Sequence, residues 1–131
     1  MQIESCGSPD VGSSAGAMGL FQVMPFHFDS SEDPYHPGTN ARRGLRYLQL
    51  ALEKTGQDTR LALASYNAGI TGASRPEFQW PEEPKRYIDW GYQIYLDAVS
   101  RADSSARLQE WLGAGGASLC AAASAHLALR P

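Results

Sequence analysis

The sequence lacks an excess of positive charge and a long, strongly apolar run. Its 11 lysines and arginines stand against 14 aspartates and glutamates, which gives a net charge of -3. Nucleic-acid-binding domains concentrate Lys and Arg on one face, so we expect no nucleic-acid partner. Residues 111–129 carry no formal charge but are mostly Gly, Ala and Ser, whereas a spanning helix needs about 20 predominantly apolar residues. We therefore expect a packed tail there and no integral membrane segment.

Cysteine is also scarce, with only Cys6 and Cys120 in the chain. A zinc site needs several Cys or His ligands at suitable spacing, and His27, His36 and His126 do not supply them. We therefore expect no metal and no cofactor. The two cysteines fit a long-range disulfide, if the protein works in an oxidising compartment, and fit two buried free thiols equally well. The sequence leaves this choice open.

No stretch shows a period-two alternation long enough for a strand, and the pattern predicts helices instead. Thr39 is expected to cap a helix that runs to Lys54, and Asp58 to cap the next one. Pro84 suits the first turn of a third long helix, because its missing N–H has no partner there. Two short helices are expected after Ser104. In the first helix Leu45, Leu48 and Leu52 are spaced three and four residues apart, as a helix requires.

The start of the chain places one carboxylic acid, Glu4, beside the apolar residues Met1 and Ile3. A carboxyl group among apolar side chains ionises reluctantly, because a low dielectric disfavours its charged form. Such a group can donate a proton near neutral pH. Residues 1–5 read as the last turns of a helix whose first half is absent, with no visible signal peptide, so we expect a truncated helix. An isolated Glu is usually a surface residue, and only its neighbours along the chain argue otherwise.

Three motifs follow one another along the chain and together resemble a known family. They are Glu4-Ser5 followed by GAMGLFQVMP at 16–25, then ASYNAG at 64–69, then EPKRYI at 83–88. This ordered set is similar to the catalytic domain of soluble lytic transglycosylases, a lysozyme-like family that cleaves peptidoglycan.

The resemblance implies a fold and a division of the chain. The expected class is all-α, a lysozyme-like single helical domain with an extra helical C-terminal tail. Residues 1–100 would form the catalytic domain and residues 101–131 the extension packed on it. The resemblance itself covers about residues 1–97.

The resemblance also implies roles for individual residues. Glu4 falls where the family has its catalytic glutamate, which acts first as an acid and then as a base. Ser13 matches a serine that contacts the N-acetyl group of the substrate. The other positions that match substrate-binding residues of the family are Gln22, Met24, Tyr66, Asn67, Glu83 and Tyr87. Glu4 would then face a sugar-sized groove walled by the Gln22 and Tyr66 segments.

The acidic residues near the motifs favour a reaction with one protein carboxylate. Most glycosidases use two carboxylates, about 5 Å apart for retention or farther apart for inversion. Asp10 lies in a polar, flexible stretch, and no second carboxylate is obviously paired with Glu4. A single acid suits a reaction in which the substrate's own C6 hydroxyl attacks C1 and leaves a 1,6-anhydro muramyl sugar. The expected partner is the peptidoglycan glycan strand, which places the protein outside the cytoplasm.

Two other functions remain compatible with the sequence. One is a hydrolase of the same fold, a relative of goose-type lysozymes or chitinases. The other is a glycan-binding module without catalysis. The matched residues also have purely structural interpretations. Gln22 and Met24 would be core residues, Tyr66 and Tyr87 core aromatics, Asn67 a helix end, and Glu83 a charge at a helix N-terminus.

Overall fold

The computed structural model describes residues 1–128, and the predicted all-α class is confirmed. These residues hold no strand, only two isolated β-bridges that pair Met18 with Gly12 and with Val23. The last three residues of the predicted tail, 129–131, lie outside the described part. The α-helices are α1 (Gln2–Ser5), α2 (Pro37–Lys54), α3 (Thr59–Ala68), α4 (Ile70–Ala73), α5 (Glu82–Val99), α6 (Ala106–Trp111) and α7 (Ala117–Ala128). Short 3-10 helices span Pro25–His27 and Glu77–Gln79.

The chain forms two compact units. Unit 1 comprises residues 1–46 together with the C-terminal segment from residue 112, and unit 2 comprises residues 47–111. Helix α2 contributes its first residues to unit 1 and its last residues to unit 2. The boundary near residue 100 between a catalytic domain and an extension stays a prediction.

In unit 1 the side chain of Asn40 is fully buried on α2. Its Nδ2 donates to the carbonyl oxygens of Met18 and Pro34 at 2.7 and 2.9 Å. Its Oδ1 accepts the backbone N–H of Phe21 at 2.8 Å. One amide side chain therefore fixes the GLFQV segment to the first turn of α2 through three backbone groups, of which the Met18 carbonyl also accepts the Val23 N–H.

The predicted start of α2 is wrong, and the fully buried residues of this helix are not the leucines that show the helical spacing. The helix begins at Pro37 rather than after Thr39, because the N–H of Thr39 donates to the His36 ring Nδ1 at 3.3 Å. Asn40 and Ala51 are fully buried, whereas Leu45 is 53% exposed. Small and polar side chains thus form the packed face, since the backbone of neighbouring loops approaches this helix closely.

The loop before α2 is tied to that helix by two arginines. Arg42 and Arg43 each contact the Glu32 carboxylate at 2.7 Å, and Arg43 also pairs with Asp29. The Glu32 carboxylate further accepts the backbone N–H of Asp29 at 3.0 Å. This backbone hydrogen bond, followed by the two guanidinium groups, lowers the pKa of Glu32 to about 2.

Unit 2 confirms the predicted helix signals. Asp58 caps α3, where its carboxylate accepts the N–H of Leu61 at 2.9 Å, and Pro84 lies in the first turn of α5. Helix α3 packs on α4 and α5. The buried core consists of Ala64, Ala73, Trp80 and Ile88, with Leu61, Tyr87 and Tyr92 packed against it.

The tail contains the two predicted short helices, α6 and α7. A π-turn over Leu112–Gly116 joins them, with Gly115 at φ 123°, a value that favours glycine. Among the described residues, no helix is long and apolar enough to cross a membrane.

Replacement of Gly19 by alanine is expected to destabilise unit 1 strongly. A Cβ at this position would lie 2.5 Å from Asn40 Nδ2, and φ is +73°. We expect a loss of about 2–4 kcal/mol in the free energy of unfolding, from backbone strain and a displaced buried amide. The matched control is Gly16→Ala, which has φ +89° but no atom within 4 Å of the new Cβ. It should cost only the strain, about 1 kcal/mol. Equal losses of unfolding free energy for the two variants, measured by urea unfolding, would show that the contact with Asn40 has no effect.

The Glu32 carboxylate is expected to make stability depend on pH in the acid range. Its pKa is about 2 in the folded chain, below the ordinary value of 4.5. Its contribution is therefore present above pH 4.5 and is lost as the pH falls towards 2. The difference in Tm between wild type and Glu32→Gln should shrink across that range. Glu53→Gln, which removes a carboxylate bonded to the neutral Gln49 side chain, is the control. A Tm difference between wild type and Glu32→Gln that stays constant from pH 7 to pH 2 would contradict the lowered pKa of Glu32.

Candidate active site

The candidate acid Glu4 lies half-buried on the four-residue helix α1. The helix ends at Ser5 and is capped by Cys6, which has a left-handed backbone (φ 49°) and whose N–H donates to the Gln2 carbonyl at 3.0 Å. The α-amino group of Met1 lies close by. Burial lowers the pKa of that amino group, and the negative charge of Glu4 partly opposes the effect. The predicted helix end at Ser5 is confirmed.

Ser5 fixes the position of the helix that carries Glu4. Its side chain is fully buried, and its Oγ donates to the Leu20 carbonyl oxygen at 2.8 Å. The same Oγ accepts the Gly7 N–H at 3.2 Å. The residue after the acid is thus bonded to the GLFQV segment, which explains why a small hydroxyl residue stands there.

The side chain of Gln22 stabilises the GLFQV segment, to which the residue itself belongs. Its backbone has φ +49°, and its Nε2 donates to the carbonyl oxygens of Val11 and Gly19 at 3.1 and 2.9 Å. Both amide protons are donated to the loop, so Oε1 is the atom left to accept a further hydrogen bond. Met24 is partly buried rather than a core residue.

Ser13 lies exposed in the loop between these elements. Its Oγ accepts the Ala17 N–H at 3.0 Å, and its own N–H donates to the Ala17 carbonyl at 2.9 Å. The hydroxyl group acts as an acceptor in this contact, so its proton remains for donation to an acceptor outside the chain. Glu4, Ser13, Gln22 and Met24 all belong to unit 1.

The other four predicted site residues belong to unit 2. Tyr66 is half-buried on α3, with its ring centroid 5.6 Å from that of Tyr47. Tyr87 is partly buried against the core, on α5. Asn67 and Glu83 are exposed, the first near the end of α3 and the second in the first turn of α5.

Unit 2 also contains an open cavity of about 570 Å³. Leu61, Ile70 and Trp80 give it an apolar lining, while Lys54 and Arg75 contribute positive charge. The volume falls in the range of small-molecule sites, about 300–1,000 Å³. Ser65, the neighbour of Tyr66, lines this cavity, whereas Tyr66 itself does not.

The sequence did not reveal the positioning roles of Ser5 and Asn40, and it did not decide whether Cys6 and Cys120 form a disulfide. Ser5 and Asn40 make the contacts that hold the motif segment, yet a lone Ser or Asn gives no sequence signal of burial. Cys6 and Cys120 form a disulfide with a Cα–Cα distance of 5.0 Å, so the choice between disulfide and free thiols is resolved. In residues 1–128, no group of three or more His, Cys, Asp or Glu side chains is placed to hold a metal ion.

Removal of the Ser5 hydroxyl is expected to loosen the GLFQV segment. Ser5→Ala leaves the Leu20 carbonyl oxygen and the Gly7 N–H without their partner. This should lower the free energy of unfolding by about 1–3 kcal/mol. Ser14→Ala, at an exposed position in the same unit, should change it by less than about 0.5 kcal/mol. Urea unfolding of the two variants measures the contrast, and similar curves would show that the buried bond is of little consequence.

Comparisons with known proteins agree with the motif pattern. The family described as "Transglycosylase SLT domain" matches residues 1–88. A protein named transglycosylase from Enterobacteria phage PRD1 is 35% identical over 89 residues, which cover 66% of this chain and 31% of the phage protein. A soluble lytic murein transglycosylase from Salmonella typhimurium is 36% identical over 78 residues, or 50% of this chain and 12% of that protein.

The chain thus spans about a third or less of the length of these two relatives. No solved structure matches it significantly. The family match covers well over half of the chain and includes all three motifs. The chain therefore belongs to the transglycosylase SLT domain family.

Proposed function

We propose that this domain is a peptidoglycan lytic transglycosylase. It cleaves the β-1,4 bond between N-acetylmuramic acid (MurNAc) and N-acetylglucosamine, and leaves 1,6-anhydro-MurNAc ends. The observation that carries the proposal is the placement of Glu4. Its carboxylate stands one residue before Ser5, which is hydrogen-bonded to the GLFQV motif at 2.8 Å, inside the region that matches the family.

In the proposed reaction Glu4 acts twice. Its carboxylic acid first protonates the glycosidic oxygen, the bond from C1 to that oxygen breaks, and the N-acetylglucosamine side leaves as an alcohol. The carbonyl oxygen of the MurNAc acetamido group stabilises the positive charge that develops at C1. The Glu4 carboxylate then removes the proton from the C6 hydroxyl, whose oxygen bonds to C1. No water is consumed, and Glu4 regains its proton.

The unit 1 residues are proposed to orient the sugar substrate for this reaction. Ser13 has a hydroxyl proton to give to the acetamido group, because its Oγ accepts from Ala17. Gln22 offers its amide oxygen to a sugar hydroxyl, since its nitrogen is used by the loop. Met24, partly buried, offers an apolar contact to a pyranose face. Such contacts raise the reaction rate because they hold the acetamido group in line with C1.

The unit 2 residues are proposed to bind the glycan strand. Tyr66 and Tyr87 are partly buried aromatics with polar tips, which suits a sugar that has an apolar face and hydroxyl edges. Asn67 and Glu83 are exposed and free of the core, so they are available for hydroxyl groups of the strand. We propose an extracytoplasmic site of action, which the Cys6–Cys120 disulfide supports, because such bonds persist in oxidising compartments.

Substitution of Glu4 is expected to abolish cleavage without unfolding the chain. Wild type should release 1,6-anhydro muropeptides from purified murein, identified by mass spectrometry, and Glu4→Gln should lower the rate by at least about 100-fold. The matched control is Asp10→Asn, which removes a carboxylate that lies between Glu4 and the GLFQV motif in the sequence and should keep at least half of the wild-type rate.

Three outcomes would count against the proposal. Products that are about 18 Da heavier, the mass of one water, would identify a hydrolase. Loss of activity in Asp10→Asn as well would indicate a second protein carboxylate. If the folded wild type released no product, the result would favour a glycan-binding module without catalysis.

A further inference from the structure

The Cys6–Cys120 disulfide joins the helix of the proposed acid to the tail. Cys6 stands two residues after Glu4, and Cys120 lies on α7. The family match ends at residue 88, so the second cysteine belongs to a segment that the family does not include. Both sulfurs and both helices belong to unit 1, where α1 packs on α7.

The disulfide lies on the side of α1 away from Glu4. Gln2 Nε2 donates to the Cys6 sulfur at 3.2 Å and lies 3.6 Å from the Cys120 sulfur. Gln2 and Cys6, four positions apart, therefore share one side of the turn. Glu4 is two positions from each, or about 200° around the axis at 3.6 residues per turn. The disulfide therefore holds the side of α1 opposite the Glu4 side chain.

Two contacts hold α1 in position within unit 1. In this structure α1 is held on one side by the Ser5 bond to Leu20 and on the other by the covalent link to α7. Two anchors of this kind define both the position of the turn and its rotation, and rotation decides where the Glu4 carboxylate points.

We propose that the Cys6–Cys120 disulfide is a positioning element for Glu4, which makes the glycosidic cleavage proposed above depend on oxidation of these two cysteines. The proposal rests on the proposed function, because positioning matters only if Glu4 acts on the glycan. Reduction by a dithiol reagent transfers two electrons and two protons to the disulfide. It yields the Cys6 and Cys120 thiols, while the reagent is oxidised to its own cyclic disulfide.

The test compares kcat and KM of the oxidised and the reduced chain on murein. Reduction, verified by titration of two thiols, should lower kcat by about 10- to 100-fold, because a misplacement of about 1 Å at a reacting group has effects of this size. KM should change by less than about twofold, since the glycan contacts of the other residues remain. Reoxidation should restore kcat. Cys6→Ser/Cys120→Ser should match the reduced chain and not respond to the reagent.

A control separates positioning from general stability. Ile88→Val removes one methyl group from the fully buried core of unit 2, and it should lower the melting temperature while the disulfide stays intact. Assayed below that temperature, Ile88→Val should keep the wild-type kcat. If both variants lose kcat only in proportion to their unfolded fraction, the disulfide is a plain stabiliser and the proposal is wrong.

A readout without activity distinguishes failure of this inference from failure of the proposed function. The backbone order parameter of Glu4, measured by ¹⁵N relaxation, should fall from about 0.85 to below about 0.6 on reduction, while residues of α3 stay rigid. An unchanged Glu4 value would overturn the positioning role even in an active enzyme. A fall in this value with no anhydro product from the oxidised chain would support the positioning role and reject the proposed chemistry.

Discussion

The hydrogen bond from Ser5 Oγ to the Leu20 carbonyl, 2.8 Å long, is the contact on which the rest of unit 1 depends. It joins the residue after Glu4 to a segment that Asn40 and Gln22 fix through further bonds to backbone groups. Asn40 supplies the acceptor for the Phe21 N–H, and Gln22 adds a second hydrogen bond to two carbonyl oxygens that already accept a backbone N–H. The acid and the motif loop thus form one hydrogen-bonded body, and the proposed chemistry requires that body.

Different interactions stabilise the interior of each unit. In unit 2 the fully buried Ile88 packs with Trp80 and two alanines in an ordinary apolar core. In unit 1 the largest fully buried side chains are Asn40 and Ser5. A unit with so little buried apolar surface gains most from a covalent link, and the loop that the disulfide closes has a sequence separation of 114. Closing a loop of this length removes about 4–5 kcal/mol of chain entropy from the unfolded state.

Local sequence signals predicted the parts of the fold that local interactions decide. Asp58 as a cap and Pro84 in a first turn follow from backbone groups within four residues, and both are confirmed. The start of α2 was predicted wrongly, because the His36 ring accepts the Thr39 N–H and the helix begins before Thr39. The exposure of Leu45 does not follow from the helical spacing of the leucines, because distant loops select which face of that helix is covered. The roles of Ser5 and Asn40 and the pairing of the cysteines depend on segments far apart in sequence. The eight proposed site residues came from a resemblance, and only their placement within each unit is now described.

The most direct measurement of the central claim is native-state hydrogen exchange of two amides in unit 1. The Gly7 N–H is bonded to Ser5 Oγ, and the Phe21 N–H is bonded to Asn40 Oδ1. If α1 and the motif loop are one body, both amides open in the same event and show similar protection. Strong protection of Phe21 with exchange of Gly7 at the rate of an exposed amide would contradict the account, because Glu4 would then stand on a turn that moves independently of its motif.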